Sequence, residues 1–165
     1  YSAHKYSQSL YGQNKYRIEK FIKSLNDNNS NIIIRPGLVV GDGGLYKKIS
    51  KWVIKYKMLL LPYGRKRNIP FILSDDLNFH MLRIILNKNV PMENNIFYST
   101  ELPLEKIIRN QEKIFFFYFY LPVLFFKMTI NITDFLNFKL PFSMNNLLGF
   151  ISNSRSPHKS TIKSK

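Results

Sequence analysis

An amphipathic helix that leads directly into an apolar strand restricts the possible folds of this chain more than any other feature. Within residues 11–25, apolar side chains recur at i, i+3, i+4 and i+7, the spacing of one helical face: Ile18, Phe21, Ile22 and Leu25. Residues 31–40 then read NIIIRPGLVV, a strand that leaves the sheet through a Pro-Gly turn. A helix followed at once by such a strand predicts a parallel α/β unit.

The residues that follow alternate predicted helices and strands in the same way. A glycine-rich loop occupies residues 41–44. The predicted elements after that loop are, in order, a helix over 45–61, a strand over 68–73, a helix over 76–87, a strand over 96–99 and a helix over 104–111. Ser74 or Asp75 can cap the helix predicted over residues 76–87, because side-chain oxygens accept hydrogen bonds from the first helical N–H groups. The dipole at a helix N-terminus also favours carboxylates.

The run IFFFYFYLPVLFF at residues 114–126 is the one candidate for membrane contact. It is shorter than the roughly 20 apolar residues that span a bilayer, and Pro122 interrupts it. These features favour a buried strand that runs into a helix, with attachment to a membrane surface as the alternative. The apolar segment beyond it is predicted to be helical, and the basic tail at residues 151–165 is predicted to be disordered.

The composition excludes several kinds of site. The chain has no Cys and three scattered His, which excludes disulfides and thiolate metal sites and gives no zinc spacing. A reducing, cytoplasmic setting is therefore expected, and residues 1–20 lack the pattern of a signal peptide. The net charge of +15 can attract nucleic acid or anionic lipid. Because neither a nucleic-acid-binding motif nor a clear basic stripe is present, no nucleic-acid partner is expected.

Tyr11 and Lys15 form a YxxxK pair, whose side chains share one face of the predicted helix. A free tyrosine has a pKa of about 10, and a neighbouring ammonium stabilises the phenolate. Such a tyrosine can exchange a proton with a substrate hydroxyl or carbonyl while a nicotinamide exchanges hydride. The spacing alone is weak, because it recurs in this chain at Tyr1/Lys5 and Tyr16/Lys20.

The surroundings of Tyr11 make the pattern specific. The arrangement YGxxKxxxE, followed by RPGLVVG, resembles the extended short-chain dehydrogenase/reductase family of NAD-dependent epimerases and dehydratases. The segments IPFILSDDLNFHMLRIIL, NNIFYSTELPLEKIIR and LPFSMNNLLGF are also similar to that family, so the resemblance covers residues 1–150. It implies an α/β fold, the C-terminal part of a Rossmann-type NAD(P)-binding fold with a small substrate-binding region. Residues 1–44 would end the Rossmann part, and residues 45–150 would be mainly substrate-binding with returning Rossmann elements.

The resemblance also implies roles for individual residues. Tyr11 would be the catalytic acid/base, and Lys15 would bind the nicotinamide ribose and favour the phenolate. Pro36, Gly37 and Leu38 would lie beside the nicotinamide of NAD or NADP, where Pro fixes the backbone and Gly permits close approach. A simple turn is the alternative interpretation of these three residues.

Three departures from the family pattern limit the assignment. The catalytic Ser is expected immediately before Tyr1, with Ser2 the less favoured substitute. Many sugar-nucleotide enzymes place an Arg that holds the substrate diphosphate where Ile69 and Pro70 stand here. Arg65, Lys66 and Arg67 could meet the diphosphate instead, although a solvated basic turn is the favoured interpretation of these three residues. The GxxGxxG loop of the dinucleotide-binding half is also absent, so the chain is expected to be an inactive fragment.

The expected parent protein is an NAD(P)-dependent epimerase, dehydratase or reductase that acts on a nucleotide sugar. A non-catalytic NAD(P)-binding subunit and a basic membrane-associated protein remain as alternatives. A homodimer formed through the Tyr11 helix is expected from the resemblance only.

Overall fold

The computed structural model describes residues 5–25, 32–63, 68–86 and 95–135, together with Ser143. The helices within these residues are α1 (Leu10–Ser24), α2 (Gly44–Tyr56), α3 (Ser74–Leu86), α4 (Leu104–Glu112) and α5 (Val123–Phe135). The strands are β1 (Ile34–Pro36), β2 (Leu38–Val40), β3 (Met58–Pro62), β4 (Asn68–Leu73), β5 (Asn95–Phe97), β6 (Thr100–Pro103) and β7 (Phe117–Leu121).

The strand pairing is mainly parallel, as the alternation of helices and strands predicts. β1 pairs with β5, β2 with β4 and β3 with β7, all in parallel, whereas β4 pairs with β6 antiparallel. The strand predicted over residues 31–40 is therefore two short strands that change partners at Gly37. The parallel α/β prediction is confirmed, and the antiparallel strand β6 is an element that the sequence pattern did not predict.

The core forms where α2 and α4 pack over β3. Ile49 and Val53 of α2 lie one turn apart and are fully buried, as are Leu59 of β3 and Ile108 of α4. Apolar residues spaced by three or four positions place both helices with one face against the sheet. The same cluster includes Phe126 of α5, so the C-terminal described helix also packs on this core.

The helix predicted over residues 45–61 ends earlier than expected, at Tyr56. Lys57 adopts a left-handed conformation with φ of 53°, and its N–H bonds the carbonyl of Val53 at 2.8 Å. This C-cap geometry ends a helix, although it is uncommon for a residue other than Gly. The following MLLLP then pairs with β7 as β3, so the last part of the helix prediction was wrong.

The aromatic run contains a strand and a helix, β7 and α5, as predicted. The prediction that the strand is buried was wrong, because Phe117, Tyr118 and Phe119 are 61%, 38% and 52% exposed. Tyr120 and Leu121 are only partly buried. No helix in the described part of the chain is long and apolar enough to cross a membrane.

Candidate functional site

The first turn of α1, which carries Tyr11, is fixed by a small network of serine hydroxyls. Ser9 is the N-cap, and its side-chain oxygen accepts a hydrogen bond from the N–H of Gly12 at 3.1 Å. The hydroxyl of Ser9 also lies 3.2 Å from that of Ser7, and both residues are buried. The Gln13 amide donates to the Ser7 carbonyl at 3.1 Å. An N-cap bond satisfies an otherwise orphaned helix N–H, so the start of α1 is well defined.

The predicted pair Tyr11 and Lys15 lies on the solvent-facing side of α1. Tyr11 is 63% exposed, and the Lys15 Nζ stands 5.7 Å from the centre of its ring. The ammonium therefore lies over the face of the ring, a cation–π arrangement. An exposed hydroxyl with a lysine one turn away can be reached by a substrate and by a cofactor.

The same ring and lysine geometry recurs at the neighbouring pair. Lys20 Nζ lies 5.3 Å from the ring centre of Tyr16. Tyr1, of the pair Tyr1/Lys5, lies outside the described residues. Local pair geometry therefore does not separate Tyr11 from Tyr16, but exposure does, because Tyr11 is exposed and Tyr16 is half-buried.

An ion pair between Glu19 and Arg35 joins α1, the helix that bears both tyrosines, to β1. The Arg35 Nε donates to one carboxylate oxygen at 2.9 Å, and its Nη2 bonds the other, so the contact is two-pronged. The side chains are only 5% and 13% exposed for Arg35 and Glu19. Such forked Arg–carboxylate pairs fix geometry as well as charge. The Glu of YGxxKxxxE and the Arg of RPG are thus bonded to each other.

The sequence contained both members of this pair but gave no sign that they meet. Glu19 and Arg35 are separated by 16 positions and by a segment with no periodicity that would set their distance. Their contact required the three-dimensional packing of α1 on β1.

Pro36, Gly37 and Leu38 lie where the chain passes from β1 to β2, and each is half-buried. A Cβ added to Gly37 would stand 2.4 Å from the carbonyl oxygen of Pro70 in β4. No side chain fits at that distance, so this glycine is required by the close approach of β4. The role of the three residues beside a nicotinamide stays a prediction.

The carboxyl ends of β2 and β4 lie side by side, with Val40 paired to Leu73. The glycine-rich loop leaves β2 and the first turn of α3 leaves β4, so the two meet here. A Cβ on Gly41 would lie 2.6 Å from the Ser74 hydroxyl oxygen. In open α/β sheets, ligands bind outside the carboxyl ends of the strands.

The charges at this sheet end are mostly acidic. Asp75 and Asp76 lie in the first turn of α3, and Asp42 accepts a hydrogen bond from the Lys47 ammonium at 2.7 Å. That hydrogen bond, together with the charge of Lys47, lowers the pKa of Asp42. Within the described residues, no three His, Asp or Glu side chains are grouped closely enough to hold a metal ion.

Two tyrosine–glutamate hydrogen bonds fasten α4 to the rest of the core, and neither had a signal in the sequence. The Tyr46 hydroxyl donates to Glu112 at 2.8 Å, and the Tyr120 hydroxyl donates to Glu105 at 2.9 Å. Burial, and then the bond to Glu112, raise the pKa of Tyr46. The second oxygen of buried Glu105 accepts no hydrogen bond from any described residue.

Other predicted site residues lie outside the described residues. Arg65 and Arg67, the candidates for a diphosphate contact, are among them, as is Ser2. The tail at residues 151–165 also lies outside.

No family model matches the sequence, and no curated protein matches it. The structure is similar to that of L-threonine dehydrogenase from Phytophthora infestans, with a TM-score of 0.52 and 15% sequence identity. This chain has a mixed α/β fold similar to the Rossmann-type dehydrogenase fold. The predicted fold class is confirmed. The match covers 88% of this chain and 55% of the dehydrogenase, so the chain spans about half the length of that neighbour.

Proposed function

We propose that this chain is the C-terminal part of an NAD(P)-dependent oxidoreductase of the extended short-chain type, with a nucleotide sugar as substrate. The observation that carries the proposal is the buried pair between Glu19 and Arg35. It fastens the helix that bears Tyr11 and Lys15 to the strand that ends in Pro36, so the separate parts of the sequence motif form one unit. A general fold likeness to a dehydrogenase agrees with this.

The described residues fit a nicotinamide cofactor at the exposed face of α1. Lys15 carries an ammonium that can donate to ribose hydroxyls, and its Nζ lies over the ring of Tyr11. A bound nicotinamide would supply hydride acceptance and return. In the proposed reaction, the Tyr11 hydroxyl donates or accepts the proton at the substrate oxygen, with the Lys15 ammonium one helical turn away.

The substrate is expected to approach from the carboxyl ends of β2 and β4. Asp75 and Asp76 make that sheet end acidic, which suits hydroxyl-rich sugar better than a diphosphate. A diphosphate contact by Arg65 and Arg67 stays a prediction from the sequence, which favours a solvated basic turn at these residues.

The test compares two tyrosines that share the same spacing and the same stacked lysine. The full reading frame would be expressed as wild type, Tyr11→Phe and Tyr16→Phe, and assayed with NAD(H), NADP(H) and a panel of nucleotide sugars. Loss of a general acid/base costs about 100-fold to 10,000-fold in rate. We expect that loss in Tyr11→Phe, with cofactor affinity kept and Tyr16→Phe close to wild type.

Each other outcome has a definite meaning. An equal loss of turnover in Tyr16→Phe would contradict the role given to Tyr11. Cofactor binding by wild type without turnover of any nucleotide sugar would favour a non-catalytic cofactor-binding subunit.

A further inference from the structure

The ribbon formed by β3 and β7 has apolar side chains on both faces. Residues alternate between the faces of a strand, so Tyr118 and Tyr120 share one face, and Phe117 and Phe119 share the other. Tyr120 faces α4, because its hydroxyl bonds Glu105 there. Phe117 and Phe119 therefore face away from α4, and each is more than half exposed.

We define the outer ribbon face as the side chains of Phe115, Phe117, Phe119 and Met58. Phe115 and Phe117 contact each other edge to face, with ring centres 5.3 Å apart, and Met58 is the register partner of Phe117. All four are exposed. Parallel strands are normally covered on both faces, and contiguous exposed apolar groups mark interaction surfaces.

Helix α5, which follows β7 after one proline, continues this apolar character. Its exposed apolar residues recur at i, i+4 and i+8, with a phenylalanine beside the first: Leu124, Phe125, Met128 and Ile132. Other residues of the helix, Phe126 and Ile130, are buried in the core. The exposed side of α5 also carries Asn131, but its share of apolar side chains is larger than a water-facing helix normally has.

Lysines surround the start of the outer ribbon face. Lys57 and Lys113 occupy the left-handed caps of α2 and α4; Lys57 directly precedes β3, and Lys113 precedes β7 by four positions. The N–H of Phe117 bonds the carbonyl of Lys57 at 2.9 Å, so the lysine and the phenylalanine are neighbours. Lys55 is exposed nearby, and the adjacent acid Glu112 is bonded to Tyr46.

The exposed apolar side chains and the neighbouring lysines together indicate which kind of partner this face binds. A second copy of a chain with a net charge of +15 would be repelled, whereas an anionic surface would be attracted. Nucleic-acid bases stack on rings, but the exposed aliphatic side chains Met58, Leu124 and Ile132 add nothing to stacking. Acyl chains take up aromatic and aliphatic groups alike, while lysines pair with lipid phosphates.

We propose that the outer ribbon face and the exposed face of α5 attach this protein to the surface of a bilayer rich in anionic lipid. The phenylalanines enter the boundary between headgroups and acyl chains, and Lys57 and Lys113 contact the phosphates. Attachment is at the surface only, and it does not depend on the enzymatic proposal above.

Co-flotation with vesicles tests this directly. Wild type would be mixed with vesicles of phosphatidylcholine alone or with about one third phosphatidylglycerol, the anionic fraction that raises the attraction for lysine. The variant Phe117→Ser/Phe119→Ser removes the two outward rings, and Phe21→Ser/Phe79→Ser is its control, because it changes two exposed phenylalanines on other helices. Circular dichroism confirms that each variant is folded.

We expect wild type and the control to float with anionic vesicles, and Phe117→Ser/Phe119→Ser to bind on the order of 100-fold more weakly, since each buried phenylalanine contributes at least tenfold. The variant Lys57→Gly/Lys113→Gly keeps the left-handed caps, which glycine adopts without strain. It should bind about 30-fold more weakly, at about 1 kcal/mol for each basic residue near an anionic surface.

Four results would overturn the proposal. The first is that wild type does not float with anionic vesicles. The second is that Phe117→Ser/Phe119→Ser and Phe21→Ser/Phe79→Ser bind these vesicles equally. Loss of self-association or of single-stranded RNA binding in Phe117→Ser/Phe119→Ser, without vesicle binding by wild type, would assign the face to a second copy or to RNA. Binding by the 165-residue chain but not by the full reading frame would show that other residues cover the face.

Discussion

Removing both members of the Glu19–Arg35 pair should destabilise the fold by less than the sum of the two single losses. Breaking a buried ion pair costs about 3–5 kcal/mol, because it leaves an uncompensated charge. Arg35 is 5% exposed and Glu19 13%, so the stranded guanidinium is the worse case. We expect Glu19→Leu to lower the free energy of unfolding by about 3 kcal/mol and Arg35→Met by about 2 kcal/mol.

The double variant should lose only about 3 kcal/mol, since no charge is left stranded and apolar groups fill the space. The coupling energy between the two sites is then about 2 kcal/mol. Arg35 makes further contacts, so the coupling energy measures the pair better than either single loss does.

Urea unfolding followed by circular dichroism, with linear extrapolation to water, measures all four proteins. The exposed pair between Asp42 and Lys47 is the control, and Asp42→Asn should leave the free energy of unfolding unchanged within error. If the losses from Glu19→Leu and Arg35→Met simply add, the two side chains are not coupled and the joining of α1 to β1 by this pair is refuted.

Three further predictions concern the core. Burial and the bond to Glu112 raise the pKa of Tyr46, so this tyrosine stabilises the fold below its unfolded pKa of about 10, and that contribution is lost as the pH rises further. The free energy of unfolding of wild type should therefore fall at alkaline pH. Tyr46→Phe should show less of this fall when unfolding is measured between neutral pH and pH of about 11. Glu105→Gln should raise the free energy of unfolding by about 1 kcal/mol in urea titrations, because it removes a buried charge with an unsatisfied oxygen; a loss of stability would contradict this. Gly37→Ala should lower the free energy of unfolding by about 3 kcal/mol or more, and with it the melting temperature, because the added Cβ meets the carbonyl of Pro70. An unchanged melting temperature would show that β4 can move aside.

Helices and strands with strong periodicity could be predicted from the sequence. The helix over residues 11–25 and the strand over 68–73 are present as α1 and β4, to within a residue at each end. Both have apolar residues at the spacing of a single element, so local pattern and packing agree. The YxxxK motif placed Tyr11 and Lys15 on one exposed helical face for the same reason.

What could not be predicted depended on contacts between distant residues. β3 read as the end of a helix, because an apolar run after a helix has no period of its own; the left-handed Lys57 and the pairing with β7 decide its conformation. Gly37 matched a cofactor motif, but its close contact is with β4. The pairing of Glu19 with Arg35 likewise follows from packing and not from spacing.

Binding of a nicotinamide dinucleotide tests the central proposal most directly. The full reading frame would be titrated into NADH and into NADPH, with the change in nicotinamide fluorescence as the signal, and repeated with Lys15→Met. We predict saturable binding of one of the two cofactors, weakened at least tenfold in Lys15→Met, which loses a charged donor to the ribose. If the folded wild-type protein binds neither cofactor at millimolar concentration, the chain is not part of a nicotinamide-dependent oxidoreductase.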